Sequence, residues 1–228
     1  MAFPSPDPTW LVEIFKSIII AATGLFLLWR WRRAKRHFYS DMPFLFGLGF
    51  LSIAAGTAVD GVFRSEIATY TLFAFQVRTM LLGLGLIFLL TSAVMVWFIE
   101  RRTLGYALVA IFTVLFLVVT WLAPIWLGPT EAMVRLAAMP FLLIVALGVV
   151  GTFIIAWYLK RLPDVHGLVM AFGVGVTMIG QLLKNPFSAM QIMWVSEVID
   201  LLGLVIVFLG FQIKPGYAKG AARTSHPE

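Results

Sequence analysis

Seven long apolar stretches fill this chain of 228 residues and leave almost no length for anything else. A helix needs roughly 20 mainly apolar residues to cross the hydrocarbon core of a bilayer. The runs at about 10–30, 43–63, 74–98, 104–126, 133–158, 166–184 and 191–212 each reach that scale. Backbone N–H and C=O groups find no water in lipid, so such segments must satisfy themselves as helices. The sequence therefore predicts an all-α polytopic membrane protein. It has a single seven-helix transmembrane domain over residues 1–213 and a short cytoplasmic tail over residues 214–228. Only 12% of the residues are charged and mean hydropathy is +0.97, where a soluble domain carries about a quarter charged residues. No catalytic or signalling domain is expected beside the bundle.

The net charge of +6 would suit a nucleic-acid binder, but the placement of the charge argues otherwise. Of the 17 basic residues, 12 lie in four short segments: Arg30, Arg32, Arg33, Lys35 and Arg36; Arg101 and Arg102; Lys160 and Arg161; Lys214, Lys219 and Arg223. These segments follow spans 1, 3, 5 and 7. That is the positive-inside pattern, and it predicts a multi-pass cell-membrane protein with its N-terminus outside and its C-terminus in the cytoplasm. The run after span 1 also suits anionic lipid headgroups. The first eight residues carry no Lys or Arg, and span 1 contains Glu13 and Lys16. A cleavable signal has its positive charge before the apolar run, so span 1 is expected to be retained. With no cysteine, disulfides, thiolate metal sites and cysteine nucleophiles are excluded. His37, His166 and His226 fall in loops or the tail, so no mid-helix pair of haem ligands exists.

Trp10, Trp29, Trp31, Trp97, Trp121, Trp126, Trp157 and Trp194 mostly fall near span ends, as an interfacial aromatic belt requires. Pro124 and Pro129 mark the turn out of span 4, and Pro140 lies inside span 5. Spans 2 and 6 are rich in small residues, which let helix backbones approach closely in lipid. Such faces chiefly serve packing within the bundle, and they also suit a homo-oligomer or a membrane-protein partner. Three pairs of short matches keep their order along the chain. Gly24-Leu25-Phe26-Leu27-Leu28 matches Gly151-Thr152-Phe153-Ile154-Ile155. Phe46-Gly47-x-Gly49 matches Phe172-Gly173-x-Gly175, and Leu81-Leu82-Gly83-Leu84 matches Leu201-Leu202-Gly203-Leu204. They suggest that spans 1–3 and 5–7 are parallel repeats joined by span 4.

This 3+1+3 layout resembles that of SWEET-type sugar transporters, PnuC-type vitamin transporters and microbial rhodopsins. The resemblance covers the whole chain as topology only. The prolines of the SWEET type are missing from within spans 2 and 6, and no Pro-Gln pair is present. A rhodopsin of this layout would need a lysine in the middle of span 7 for its retinal, and Gln191 to Gln212 has none; Lys184 lies at the end of span 6.

Ionisable groups inside spans are expensive and usually face the bundle interior. Under the predicted topology they gather at the outer side. Glu13 and Lys16 lie near the outer end of span 1, Asp60 and Arg64 close span 2, Arg78 opens span 3 and Arg135 opens span 5. Gln181 and Lys184 close span 6, and Trp194, Glu197 and Asp200 occupy the outer half of span 7. Helical spacing puts Glu13 with Lys16, and Trp194 with Glu197 and Asp200, on shared faces. Asp60 and Arg64 are an i,i+4 pair. Arg78 and Asp200 match in depth, which predicts that they face each other, with Glu197 and one of Arg135 or Lys184 in reach. These eleven residues form either a ligand-binding pocket or a set of intramembrane ion pairs.

No H-E-x-x-H, G-x-S-x-G or P-loop sequence is present. The expectation is a non-enzymatic, cofactor-free, receptor-like or accessory protein that recognises a small ligand or a partner at the outward-facing polar cluster. A small-solute transporter of the 3+1+3 kind and a structural subunit of a larger membrane complex are the alternatives. A transporter needs polar lining on both sides of the midplane, whereas the sequence places it on one.

Overall fold

A computed structural model describes residues 9–34, 38, 41–65, 71–98, 100–162, 165–190 and 192–214. Of Arg64, Asn185, Ser188 and Ala189 it describes the backbone alone. The described residues form seven helices: α1 (Thr9–Arg32), α2 (Met42–Arg64), α3 (Leu72–Trp97), α4 (Arg102–Trp126), α5 (Glu131–Tyr158), α6 (Gly167–Ala189) and α7 (Met193–Gln212). All seven are long and apolar enough to cross a membrane. The tail beyond Lys214 lies outside the described residues.

Local chemistry sets several boundaries. Thr71 and Thr130 cap α3 and α5 by accepting the backbone N–H of Ala74 and Met133, which satisfies donors that a helix start leaves orphaned. Pro43 sits in the first turn of α2, where its missing N–H costs nothing. Two boundaries differ from the sequence expectation. Pro124 does not mark the turn out of span 4 but lies inside α4, which continues to Trp126. Helix α6 runs five residues past the expected end at Lys184 and takes in Pro186.

Proline 124 is accommodated by a neighbour. A helical proline removes the N–H that would bind the carbonyl four residues earlier, here that of Thr120. Gln76 of α3 reaches across and donates its Nε2 to the carbonyls of Thr120 (3.4 Å) and Trp121 (3.0 Å). Satisfaction by an adjacent helix is what allows proline at membrane depth.

Helices α1, α2, α3, α5, α6 and α7 form a closed circuit in that order, with α7 returning to α1. Helix α4 stands outside the circuit, packed on α3 and α5. It turns Leu108, Ile111, Leu115, Val118 and Ile125 outward, a surface suited to lipid. Toward the ends that follow α1, α3, α5 and α7, the interior is filled by phenylalanine. Phe46 meets Phe211 at 4.9 Å, Phe153 at 5.9 Å and Phe50 at 6.2 Å between ring centroids, all within the range of favourable edge-to-face pairs.

Close helix approach is carried by reciprocal glycines. A Cβ added to Gly24 would lie 2.9 Å from the Gly47 carbonyl oxygen, one on Gly49 2.9 Å from that of Gly85, and one on Gly173 2.7 Å from that of Gly203. These are the α1–α2, α2–α3 and α6–α7 crossings. The residues matched by the apparent repeat do not share environments. Gly47 faces α1, whereas its counterpart Gly173 faces α7. Gly49 is pressed against α3, whereas its counterpart Gly175 has nothing within 4 Å. The repeated motifs thus serve different contacts.

Candidate functional site

Because α1, α3, α5 and α7 begin at the same end of the bundle where α2, α4 and α6 finish, the charged residues of six helices are brought to one level. Most are sealed from solvent. Glu13 is 0% exposed, Lys16 2%, Asp60 2%, Glu197 1% and Asp200 2%.

The centre of the cluster lies where α1 meets α6 and α7. Lys16 Nζ donates to Glu197 Oε2 at 2.8 Å and also to Asp200 Oδ2. Lys184 of α6 reaches Glu197 Oε1 at 2.7 Å, and Gln181, one turn earlier, donates its Nε2 to Asp200 Oδ2 at 2.7 Å. Two lysines and an amide from two helices therefore converge on two carboxylates that share one face of α7. The backbone assists this convergence. A Cβ on Gly180 would fall 2.9 Å from the Asp200 nitrogen, so the absence of one lets α6 sit against α7 at the level of Asp200. Glu13 packs at the α1–α2 contact beside Gly61.

A second pair lies across the bundle, where Arg78 Nη2 of α3 meets Asp60 Oδ2 of α2 at 2.6 Å. The Arg78 guanidinium lies 5.7 Å from the Phe75 ring centre, and that of Arg135 lies 5.2 Å from the same ring. Among the buried or nearly buried groups with described side chains, Lys16, Arg78 and Lys184 carry three positive charges against the four carboxylates Glu13, Asp60, Glu197 and Asp200. A charge at the bilayer centre costs about 2.5–3.5 kcal/mol on insertion scales, and pairing between helices offsets that cost only when geometry is good.

Several expected relations are replaced by others. Arg78 does not face Asp200; it binds Asp60, and Asp200 is held by Lys16 and Gln181. The reason is the order of helices around the circuit. Helix α7 lies between α6 and α1, whereas α3 lies between α2 and α5, so equal depth does not bring these two side chains together. Of the two cations expected near Glu197, Lys184 is the one in contact. Arg135 instead makes a loose, exposed i,i+4 pair with Glu131 at 3.7 Å. Trp194 does not extend the buried face of Glu197; it is 40% exposed at the edge of the bundle. The expected Asp60–Arg64 pair rests on a side chain outside those described. Gln76 was not among the residues singled out by the sequence; its signal was an amide one helix away from an intrahelical proline.

The arrangement ties α1 and α6 to α7, and α2 to α3, by buried charge. The described residues contain no grouping of three or more His, Asp or Glu side chains suited to a metal ion. No protein-family model, curated protein or solved structure matches this chain significantly. What stands is an all-helical, seven-helix integral membrane protein in contact with the bilayer.

Proposed function

We propose that this chain is a non-enzymatic, receptor-like or accessory membrane protein, oriented with its N-terminus outside, in which the Lys16–Glu197–Asp200–Lys184 network holds the recognising end closed. The observation that carries this reading is the contrast between the two halves of the bundle. The buried charged side chains are confined to one end, whereas the other half of the interior is filled chiefly by Phe46, Phe50, Phe153 and Phe211, and its buried Thr91 and Ser92 hydroxyls bond back to carbonyls of their own helix. A carrier needs polar groups on both sides of the midplane, because its site must face each compartment in turn. Buried ion pairs that tie α1 and α6 to α7 suit recognition instead. A small charged solute or a partner segment that competes for Glu197 or Asp200 would loosen α1 from α7 at the outer end.

The test uses the protein in nanodiscs with spin labels on cysteines placed at Trp10 and Trp194, the outer starts of α1 and α7. The native chain has no cysteine, so labelling is specific. Charged solutes are screened for a rise in melting temperature. The expected result is a solute that stabilises the protein and changes the label separation in the wild type but not in Lys16→Met. Saturable uptake of any solute into proteoliposomes, above that of empty vesicles, would overturn the reading in favour of a transporter.

A further inference from the structure

At the end of the bundle opposite the ion pairs, a cleft of about 570 Å³ opens beside the C-terminal ends of α3 and α5. It is lined by Val96, Trp97, Phe98, Glu100, Arg101 and Arg161. Trp97 ties its two walls together by donating Nε1 to Thr152 Oγ1 of α5 at 3.2 Å.

The backbone that places Arg161 here is strained. Lys160 has φ 54°, and among the described residues no other non-glycine has a positive φ. The N–H of Lys160 binds the Trp157 carbonyl at 3.0 Å and that of Arg161 binds the Ala156 carbonyl at 2.9 Å. These are the two bonds of a Schellman helix terminus, whose left-handed position is usually glycine. An apolar residue commonly follows and packs back on its own helix. Here Arg161 follows and crosses to α3, its guanidinium 5.4 Å from the Trp97 ring centre. The next residue, Leu162, is buried and anchors the turn. Strain of this kind persists where the surroundings over-determine it, and it clusters at functional positions.

The cleft combines three features. Two arginines offer planar donor forks that match phosphate oxygens. A tryptophan that is 39% exposed lies at the membrane edge, where indoles meet headgroups. Exposed apolar side chains occupy the neighbouring helix ends, Ile154, Ile155 and Tyr158 in the last turns of α5 and Leu104 and Leu108 in the first turns of α4. With Glu100 opposing Arg101 and Arg161, the lining carries a net charge of +1, which suits a single phosphodiester better than a multiply charged free phosphate. Arg102 is turned away, 5.9 Å from the Phe38 ring centre. We infer that this cleft seats the phosphodiester headgroup of an anionic glycerophospholipid, with Arg101 and Arg161 on the phosphate oxygens, Trp97 against the glycerol backbone and the acyl chains along α4 and α5.

The experiment is native mass spectrometry of the full chain released from detergent with phosphatidylglycerol or phosphatidylcholine. The wild type should retain phosphatidylglycerol preferentially. Each of Arg101→Gln and Arg161→Gln should lower that preference about fivefold, and the double variant about 25-fold. Arg102→Gln should leave it unchanged. Inorganic phosphate should not displace the lipid. Equal retention of the two lipids by the wild type would overturn the inference without any variant being needed. So would an equal loss with Arg102→Gln, which would mean diffuse surface charge, or displacement by inorganic phosphate, which would mean a soluble ligand.

Discussion

Replacing Lys16 by methionine separates a buried ion-pair network from an incidental one. Methionine keeps length and apolar bulk and removes only the cation. Glu197 then retains Lys184 at 2.7 Å, while Asp200 retains only the Gln181 amide. The buried count changes from three cations against four carboxylates to two against four. At an effective dielectric of 20, two unit charges 4 Å apart interact by about 4 kcal/mol, and stranding one member of a buried pair costs about 3–5 kcal/mol. The expected loss for Lys16→Met is therefore about 3–5 kcal/mol, read from unfolding in mixed micelles titrated with dodecyl sulfate. Asp200→Asn placed on top should recover part of it, with a coupling of about 1–3 kcal/mol, because neighbours sharing a partner are not additive. Lys184→Met should cost less, since Lys184 lies at the bundle margin and Glu197 keeps Lys16. Arg135→Met breaks an exposed 3.7 Å contact with Glu131 and a 5.2 Å approach to the Phe75 ring and should cost no more than about 1 kcal/mol. If Lys16→Met and Arg135→Met fall within error of each other, the cluster does not hold the bundle together.

Gly173→Ala should destabilise by about 1–3 kcal/mol through overpacking, since the new Cβ would meet the Gly203 carbonyl and the Val207 nitrogen of α7 at 2.7 and 2.6 Å. Gly175→Ala, two residues on and free of neighbours within 4 Å, should be neutral or gain up to about 1 kcal/mol in helix propensity; the same micelle unfolding assay ranks the two, and equal effects would refute the packing argument. Lys160→Gly should raise stability by about 1 kcal/mol by relieving a left-handed non-glycine residue, and a loss measured by thermal melting would mean that the turn is not strained. A reporter active only in the cytoplasm should give signal when fused to Glu228 and none at Met1, and the reverse result would invert every assignment of side.

The spans were legible because lipid imposes a length and a composition on each crossing, and the observed helices begin and end within a few residues of the apolar runs. The exceptions have local causes. Helix α6 outlasts its apolar run because Lys184 is neutralised by Glu197 rather than exposed at a span end. Helix α4 passes Pro124 because Gln76 of another helix covers the freed carbonyl. The level of the charges was also legible, since depth follows from counting residues along a helix. Their pairing was not. Which helices are neighbours around the bundle depends on where glycines allow contact, and short apolar motifs recur without keeping their partners. Arg78 and Asp200 therefore matched in depth yet pair with Asp60 and Lys16 respectively.

Helix α4 contributes no wall to the closed circuit, but it sets the parity of the chain. One extra crossing between α3 and α5 makes α5–α7 run in the same sense as α1–α3. Without it, Asp200 would sit at the opposite membrane face from Lys16, and the contacts linking α1 to α7 could not form. A helix that touches none of the central charges therefore decides that they meet. Shortening α4 until it no longer crosses would redistribute charge between the two faces of the membrane while leaving every side chain of the network in place along the sequence.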